Sequence, residues 1–568
     1  PQYLPLKIPP VEWVDFDTGA YYTPRMKIPL IKVKGKSARK FVREHLPKQH
    51  IKAINKLQNT AWCINNKVLA VQDKVFRNNL KVGIPSNQPV ESTPFPEHLK
   101  LIPKDELTDD QAAELLAWKR LRKSQYTDET KRKGRVIGFR QAFLLAQELK
   151  DWERLYFAYN ADFRGRIYCT TAGLSPQGAD PAKALLTFAD GLELGKNGVK
   201  WLAIHGANCF GIDKVTFEER VAWTKEHEFL IKAIVDDPIA NMQWAEADKP
   251  YQFLAFCFEW EACDFGRNVK YKSSLPVGLD GSCNGLQHFS AMLRDHIGAA
   301  ATNLTPTDTP QDIYNEVATV TKSKLVKLAN EGDAYAKVWL QVGITRKCPK
   351  KPVMTLPYGA TQQSAREYIL EYVNDNWHKF NLVDKHKWDM AKYLTPILWT
   401  SIGEVVVAAV LAMKWLRKHV GKGHCKWVTI IGFPVFQHYQ RFNLVDVKTQ
   451  LEGTVHLYPL DQEKGEPNPY QQRNGVAPNF IHSMDSTHMV ITTVLTKFSH
   501  YVMVHDDFGS HAANIEDMSK AIRRAFRFMY AESNPLEHWA KQQGIDTKEL
   551  QYGEYNIDDI MQSEYFFS

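Results

Sequence analysis

Apolar residues along this chain change their spacing several times, and each change marks an element. Ile51, Ile54, Leu57, Ala61, Ile64 and Leu69 recur at helical steps, which predicts helix over residues 50–80. Pro85, Pro89, Pro94, Pro96 and Pro103 then predict a connector. Thr108 and Gln111 form the reciprocal pattern that opens a helix. From about residue 157 to 259 the pattern mixes helix with short strand. Two apolar runs, residues 275–279 and 501–504, read as buried strands. Each leads toward an aspartate, Asp280 and Asp506, with a glycine close behind. Residues 435–439 and 454–460 have strand character and predict a β-ribbon between them. The longest notable apolar stretch, residues 405–413, is far below the ~18 residues of a membrane span. There is no signal-peptide pattern, internal repeat or low-complexity tract.

An aspartate at the end of a buried strand is costly unless something positive meets it. Either segment alone is more readily a turn or cap than a catalytic strand end. Side by side, the two would hold two carboxylates around Mg²⁺, the arrangement that clamps both oxygens of an in-line phosphoryl or nucleotidyl transfer. The cationic stretch 346–359 lies between them and supports that chemistry. If it is helical, Arg346 and Lys350 lie one turn apart, about 6 Å along the axis, and can bridge a triphosphate. Tyr358 follows on the same side. A solvated basic face is the bland alternative, and Pro349, Pro352 and Pro357 argue against helix unless a proline sits in the first turn.

Length and charge add bounds. A chain of 568 residues is long enough for several domains. A formal net charge of +8, from 72 Lys and Arg against 64 Asp and Glu, is a mild excess that suits phosphate backbones without identifying them. Between Lys119 and Arg135, eight basic residues face only Asp128 and Glu129, a candidate backbone contact. Eight cysteines without a Cys-x-x-Cys pair resemble no zinc site and read as free thiols in a reducing compartment. His482, Asp485 and His488 fit no common metal template, so core or surface histidines are the better reading.

The segment 280–295, beginning Asp280-Gly281-Ser282-Cys283-Asn284-Gly285-Leu286-Gln287-His288, resembles the first palm motif of the bacteriophage single-subunit RNA polymerases. Residues 346–359 resemble their fingers helix, and His505-Asp506-Asp507-Phe508-Gly509 their second palm motif. Residues 159–168, 204–209 and 477–483 match further motifs, in the family's order and over nearly the whole chain. Mitochondrial RNA polymerases share the ancestry, but Leu356-Pro357-Tyr358-Gly359 looks more phage-like.

The resemblance implies an α+β, mostly helical right-hand polymerase with palm, fingers and thumb and an antiparallel palm sheet. It divides the chain into a thumb-side helical region (1–156), palm (157–311), fingers (312–432), promoter-specificity ribbon (433–474) and palm with the C-terminal segment (475–568). Asp280, Asp506 and the Gly281 carbonyl are implied as ligands of two Mg²⁺ ions, and Lys350 as general acid toward pyrophosphate. Arg346 and Lys214 are implied to hold phosphates, Tyr358 to check the sugar, and His482 and Gly285 to sense the ribose 2′-OH. Arg164, Arg166 and Lys183 are implied to contact the template–transcript hybrid. Asp446, Lys448, His456 and Tyr458 fall at base-reading ribbon positions. Many phage relatives carry serine where this chain has Asp507; that acid either tunes the metal site or faces solvent, and the sequence reading favours solvent. The implied partners are promoter DNA, template strand, transcript and NTPs, for a monomer without membrane contact. It would act in the cytoplasm of an infected host cell, with a mitochondrial setting the weaker expectation. The chain opens at Pro1 and looks like part of something longer, without the family's N-terminal domain. A DNA polymerase of the same superfamily and a catalytically silent nucleic-acid-binding protein are the competing readings.

Overall fold

A computed structural model describes residues 3–103, 105–383, 386–448, 455–460 and 466–568. Helices carry most of these residues, and the strands gather in small sheets of two or three. The helical prediction over 50–80 holds in two pieces, Lys48–Gln58 and Asn66–Arg77. Between them Trp62–Ile64 is a strand paired antiparallel with Leu186–Phe188. Trp62 and Ile64 point into the core from alternate positions, so the period of two wins locally over the helical spacing. The Asn65 side chain restarts the helix by accepting the Val68 N–H at 3.2 Å.

The proline-rich connector leads to α1 (Asp109–Leu149), whose start carries the predicted capping box with both reciprocal bonds formed. Next come β1 (Tyr159–Asp162) and β2 (Ile167–Cys169), an antiparallel pair. They are followed by α2 (Gly195–Phe210) and α3 (Pro250–Ala262). Then β3 (Pro276–Asp280) turns into α4 (Asn284–Leu293). Beyond it lie α5 (Ile313–Asn330) and α6 (Lys347–Thr355).

The ribbon exists but starts later than its apolar pattern suggests. Its strands are β4 (Asn443–Lys448) and β5 (Val455–Leu460), antiparallel with Val447 opposite His456 and Lys448 opposite Val455. Residues 435–439 were the expected first strand. Instead Pro434–Phe436 pairs with Lys426–Val428 in a separate two-stranded unit, its three side chains all buried.

The chain closes with α7 (Pro469–Leu495), β6 (Val502–Val504), β7 (Asp507–His511) and α8 (Ile515–Arg527). The central sheet has the order β6-β7-β3, antiparallel throughout. Val277, Leu279 and Phe508 turn inward, and α2 and α8 pack against the sheet. Beneath it His288, His488, Phe526, Tyr530, Phe566 and Phe567 form a continuous aromatic layer, in which the Tyr530 hydroxyl meets His288 Nδ1 at 2.6 Å. His488 donates its Nε2–H to the Ile522 carbonyl, 2.9 Å away, so it is a core histidine. All eight cysteines are free thiols. Among the described residues no single helix is long and apolar enough to cross a membrane.

Candidate active site

The central sheet brings the two aspartates together by a shorter route than two parallel strand ends. β6 and β7 form a hairpin whose two loop residues are His505 and Asp506. His505 takes φ 59°, a left-handed conformation that non-glycine residues seldom hold. Asp506 therefore sits in the loop itself rather than on a strand. Its carbonyl accepts the Gly281 N–H at 3.2 Å, tying the loop to the end of β3. Asp507 opens β7 directly across the ladder from Asp280.

Three carboxylates thus share one end of the sheet. Asp280 is open to solvent on the floor of a cleft but crowded by protein on its other sides, and Asp506 is half-buried. That crowding, and after it the charges of Asp506 and Asp507, pushes the Asp280 carboxyl upward against the pull of Lys249 and Lys183. Asp506 is pushed the same way, first by crowding and then by Asp485.

The cleft, about 270 Å³, gathers most of the expected substrate residues. Asp280, Gly281, Asp506, Lys214, Arg346, Lys350 and Tyr358 all line it. The segment 347–355 is helical despite its prolines: Pro349 falls in the first turn and only Pro352 lies inside. Arg346 stands at the N-cap and Lys350 one turn on. Arg346 Nε donates to Asp312 at 2.5 Å, and its guanidinium lies 5.7 Å from the Tyr314 ring centre. Lys350 is exposed and has no ion-pair partner among the described residues. Lys214 pairs with its neighbour Asp213 at 3.0 Å.

Tyr358 follows the helix in a turn and stacks on His482 of α7, with ring centres 4.7 Å apart. His482 Nδ1 receives a bond from Arg164 at 2.8 Å, which leaves its proton on Nε2. Burial, then Arg166 and Arg164, drops its pKa to about 2, so the ring is neutral. Gly285 sits under the same turn: a Cβ there would come within 2.8 Å of Pro357 Cβ.

The three cations expected at a hybrid have partners inside the protein. Arg164 bonds Asp162 at 2.6 Å, Lys183 reaches Asp507 at 3.4 Å, and Arg166 grips Asp485 through two nitrogens. Burial works against both charges of the last pair. Asp485 more than restores the Arg166 charge, while burial still pushes the Asp485 carboxyl upward; the two-nitrogen contact favours the ionised pair. Asp507 is thus an ion-pair partner and not the solvent-facing acid that the sequence favoured. Asp446, Lys448, His456 and Tyr458 lie on the ribbon strands, but their side chains fall outside the described ones.

Other cleft residues went unread in the sequence. Tyr314 lines it beside Arg346, and Asp312 caps α5 by accepting the Tyr314 N–H at 3.0 Å, an Asx start visible in the sequence. Arg220, fully buried, donates to the Asp213 and Val215 carbonyls and fixes the loop that presents Lys214. Asn284 is 2 % exposed, and neither amide atom has a hydrogen-bond partner among the described residues.

The donor set fits a hard divalent cation. Asp280, Asp506 and the Gly281 carbonyl supply oxygen only, and like charges this close leave a deficit of positive charge. No group of three or more His, Cys, Asp or Glu among the described residues could hold an ion. Mg²⁺ usually binds through one or two carboxylates together with substrate phosphates and water.

The profile of the DNA-dependent RNA polymerase family matches residues 192–550. The chain belongs to that family. It is 34% identical to the T7 RNA polymerase of Escherichia phage T7 over all of its length and 70% of that protein. It is 32% identical to the DNA-directed RNA polymerase of Pseudomonas phage phiKMV, covering 98% of this chain and 71% of the other. A mitochondrial DNA-directed RNA polymerase of Nicotiana sylvestris is 30% identical over the whole chain and 57% of that protein. Polymerase relatives thus lie on both the phage and the mitochondrial side of the family.

Proposed function

We propose that this chain is a DNA-directed RNA polymerase that extends an RNA 3′ end by a two-metal mechanism. The observation that carries the reading is one cleft lined by two crowded aspartates, two phosphate-range cations one turn apart, and a tyrosine stacked on a neutral histidine. In this reading the β6-β7-β3 sheet is the palm, residues 312–432 the fingers, and α1 part of the thumb. When bound, two Mg²⁺ ions held by Asp280, Asp506 and the Gly281 carbonyl would supply positive charge to the attacking and departing oxygens.

The protein's own groups do the rest by position. The transcript 3′-OH attacks the α-phosphorus of the NTP and gives up its proton to solvent as the bond to pyrophosphate breaks. Lys350 Nζ, without an ion-pair partner among the described residues, passes a proton to the departing phosphate oxygen. Arg346 is held at Nε by Asp312, which leaves its terminal nitrogens to grip phosphate. Lys214 adds charge at the rim. Tyr358 checks the sugar against His482, whose Nε2–H is a donor for a ribose hydroxyl, and Gly285 leaves room for the turn beneath them.

Arg164, Arg166 and Lys183 support the hybrid through the strands they brace. The ribbon carrying Asp446, Lys448, His456 and Tyr458 reads a phage-type promoter, because a two-stranded ribbon fits the major groove. Partners are promoter and template DNA, transcript and NTPs, and the enzyme acts as a monomer in the cytoplasm of an infected cell. Asp507 kept the DNA-polymerase alternative open; the match to the DNA-dependent RNA polymerase family weighs against it.

Single-turnover kinetics test the roles. Lys350→Ala slows chemistry about a hundredfold or more with NTP affinity little changed, as loss of a general acid does. Arg346→Ala mainly weakens NTP binding, about tenfold or more. The reverse pattern removes both roles. Tyr358→Phe raises dNTP use relative to rNTP by about tenfold, because a hydroxyl-reading contact is lost; an unchanged ratio places sugar choice elsewhere.

A further inference from the structure

Asp507 lies next to Asp506 in the chain and opposite Asp280 in the ladder. Its carboxylate folds over Gly278, where a Cβ would meet Oδ1 at 2.4 Å. Any larger residue at 278 would displace it. Lys183 Nζ holds the other oxygen at 3.4 Å, and both side chains are partly buried, 23 % and 31 % exposed. Lys183 is itself well placed. It belongs to the short helix Asp180–Ala184, and the Asp180 carboxylate accepts the Tyr251 and Gln252 N–H groups at 2.9 and 3.1 Å at the start of α3. Lys249, just before α3, sends a second positive charge toward Asp507 and Asp280. A third acid thus stands beside the aspartate pair, with Lys183 and Lys249 as its nearby cations.

We propose that Asp507, restrained by Lys183, is a positioning residue that sets the divalent-cation affinity of the Asp280–Asp506 pair through its charge without ligating the cation. The inference rests on the reading of that pair as the cation site. Lys183 has two effects: it keeps Asp507 from joining the ligands, and it offsets the added negative charge.

The probe is Mn²⁺, followed by electron paramagnetic resonance of the free ion. It is titrated into the protein on an RNA–DNA scaffold with a non-hydrolysable ATP analogue. Asp507→Asn weakens Mn²⁺ binding about tenfold, the effect of one unit charge near a divalent ion in a wet cleft. Lys183→Met tightens it by about the same factor, and the double variant returns within about threefold of the parent. Thermal unfolding confirms that each variant is folded. Asp507→Asn within about twofold of the parent overturns the proposal, as does a double variant as weak as Asp507→Asn. Asp280→Asn is the reference: if it leaves Mn²⁺ binding intact, the cation site itself is misassigned and the failure lies there.

Discussion

Asp280→Asn and Asp506→Asn each reduce nucleotide addition by about a thousandfold or more, as loss of a preorganised charge in a catalytic cleft does. Both variants keep their affinity for an RNA–DNA scaffold. The asymmetry follows from where the two residues sit. Asp280 is open at the cleft floor, and Asp506 occupies a hairpin loop anchored through its backbone carbonyl to Gly281. Amide replacement therefore removes charge but no packing. It also removes a charge that desolvation and the neighbouring acids disfavour, so folding stability holds or rises. The check is scaffold extension beside scaffold binding and thermal unfolding of the same protein. Extension near the parental rate from either variant removes that aspartate from the chemistry.

Breaking the Arg166–Asp485 pair gives the largest loss of stability. The two side chains are 13 % and 1 % exposed and joined through two nitrogens. Arg166→Ala leaves a carboxylate buried without a partner, which costs about 3–5 kcal/mol. Replacing both at once with apolar residues of similar volume, Arg166→Met with Asp485→Leu, recovers most of that loss. Chemical denaturation reads the difference. Arg166 also lies 5.7 Å from the Tyr358 ring centre, so the single variant disturbs sugar selection as well. A single variant as stable as the parent shows that the pair is not the brace of this region.

Much of this arrangement was legible in the sequence because it depends on local pattern. The capping box at Thr108, the apolar runs before the aspartates and the one-turn spacing of Arg346 and Lys350 are all short-range signals. The rest depends on contacts made across long stretches of chain. Lys183 and Asp507 are 324 positions apart, and nothing near either announces the pair. His505 in a left-handed turn gave no signal, since that hairpin position ordinarily calls for glycine. The first ribbon strand starts later than expected because the strand character at Val435 and Phe436 serves burial in the separate Pro434–Phe436 pair, not ribbon pairing. The helix over 347–355 runs against its own propensity, which tertiary packing of Cys348, Pro349, Pro352 and Val353 overrides. Asn284 shows the same limit: its place beside the cleft was fixed by the motif, but not the lack of a partner for its amide.

The central claim is template-directed RNA synthesis, and extension of a primed RNA–DNA scaffold tests it without a promoter. With Mg²⁺ present, the account predicts addition of the ribonucleotide complementary to the template base, in strong preference to the matching deoxynucleotide and to mismatched ribonucleotides. Absence of extension, or equal or preferred use of dNTPs, would contradict it.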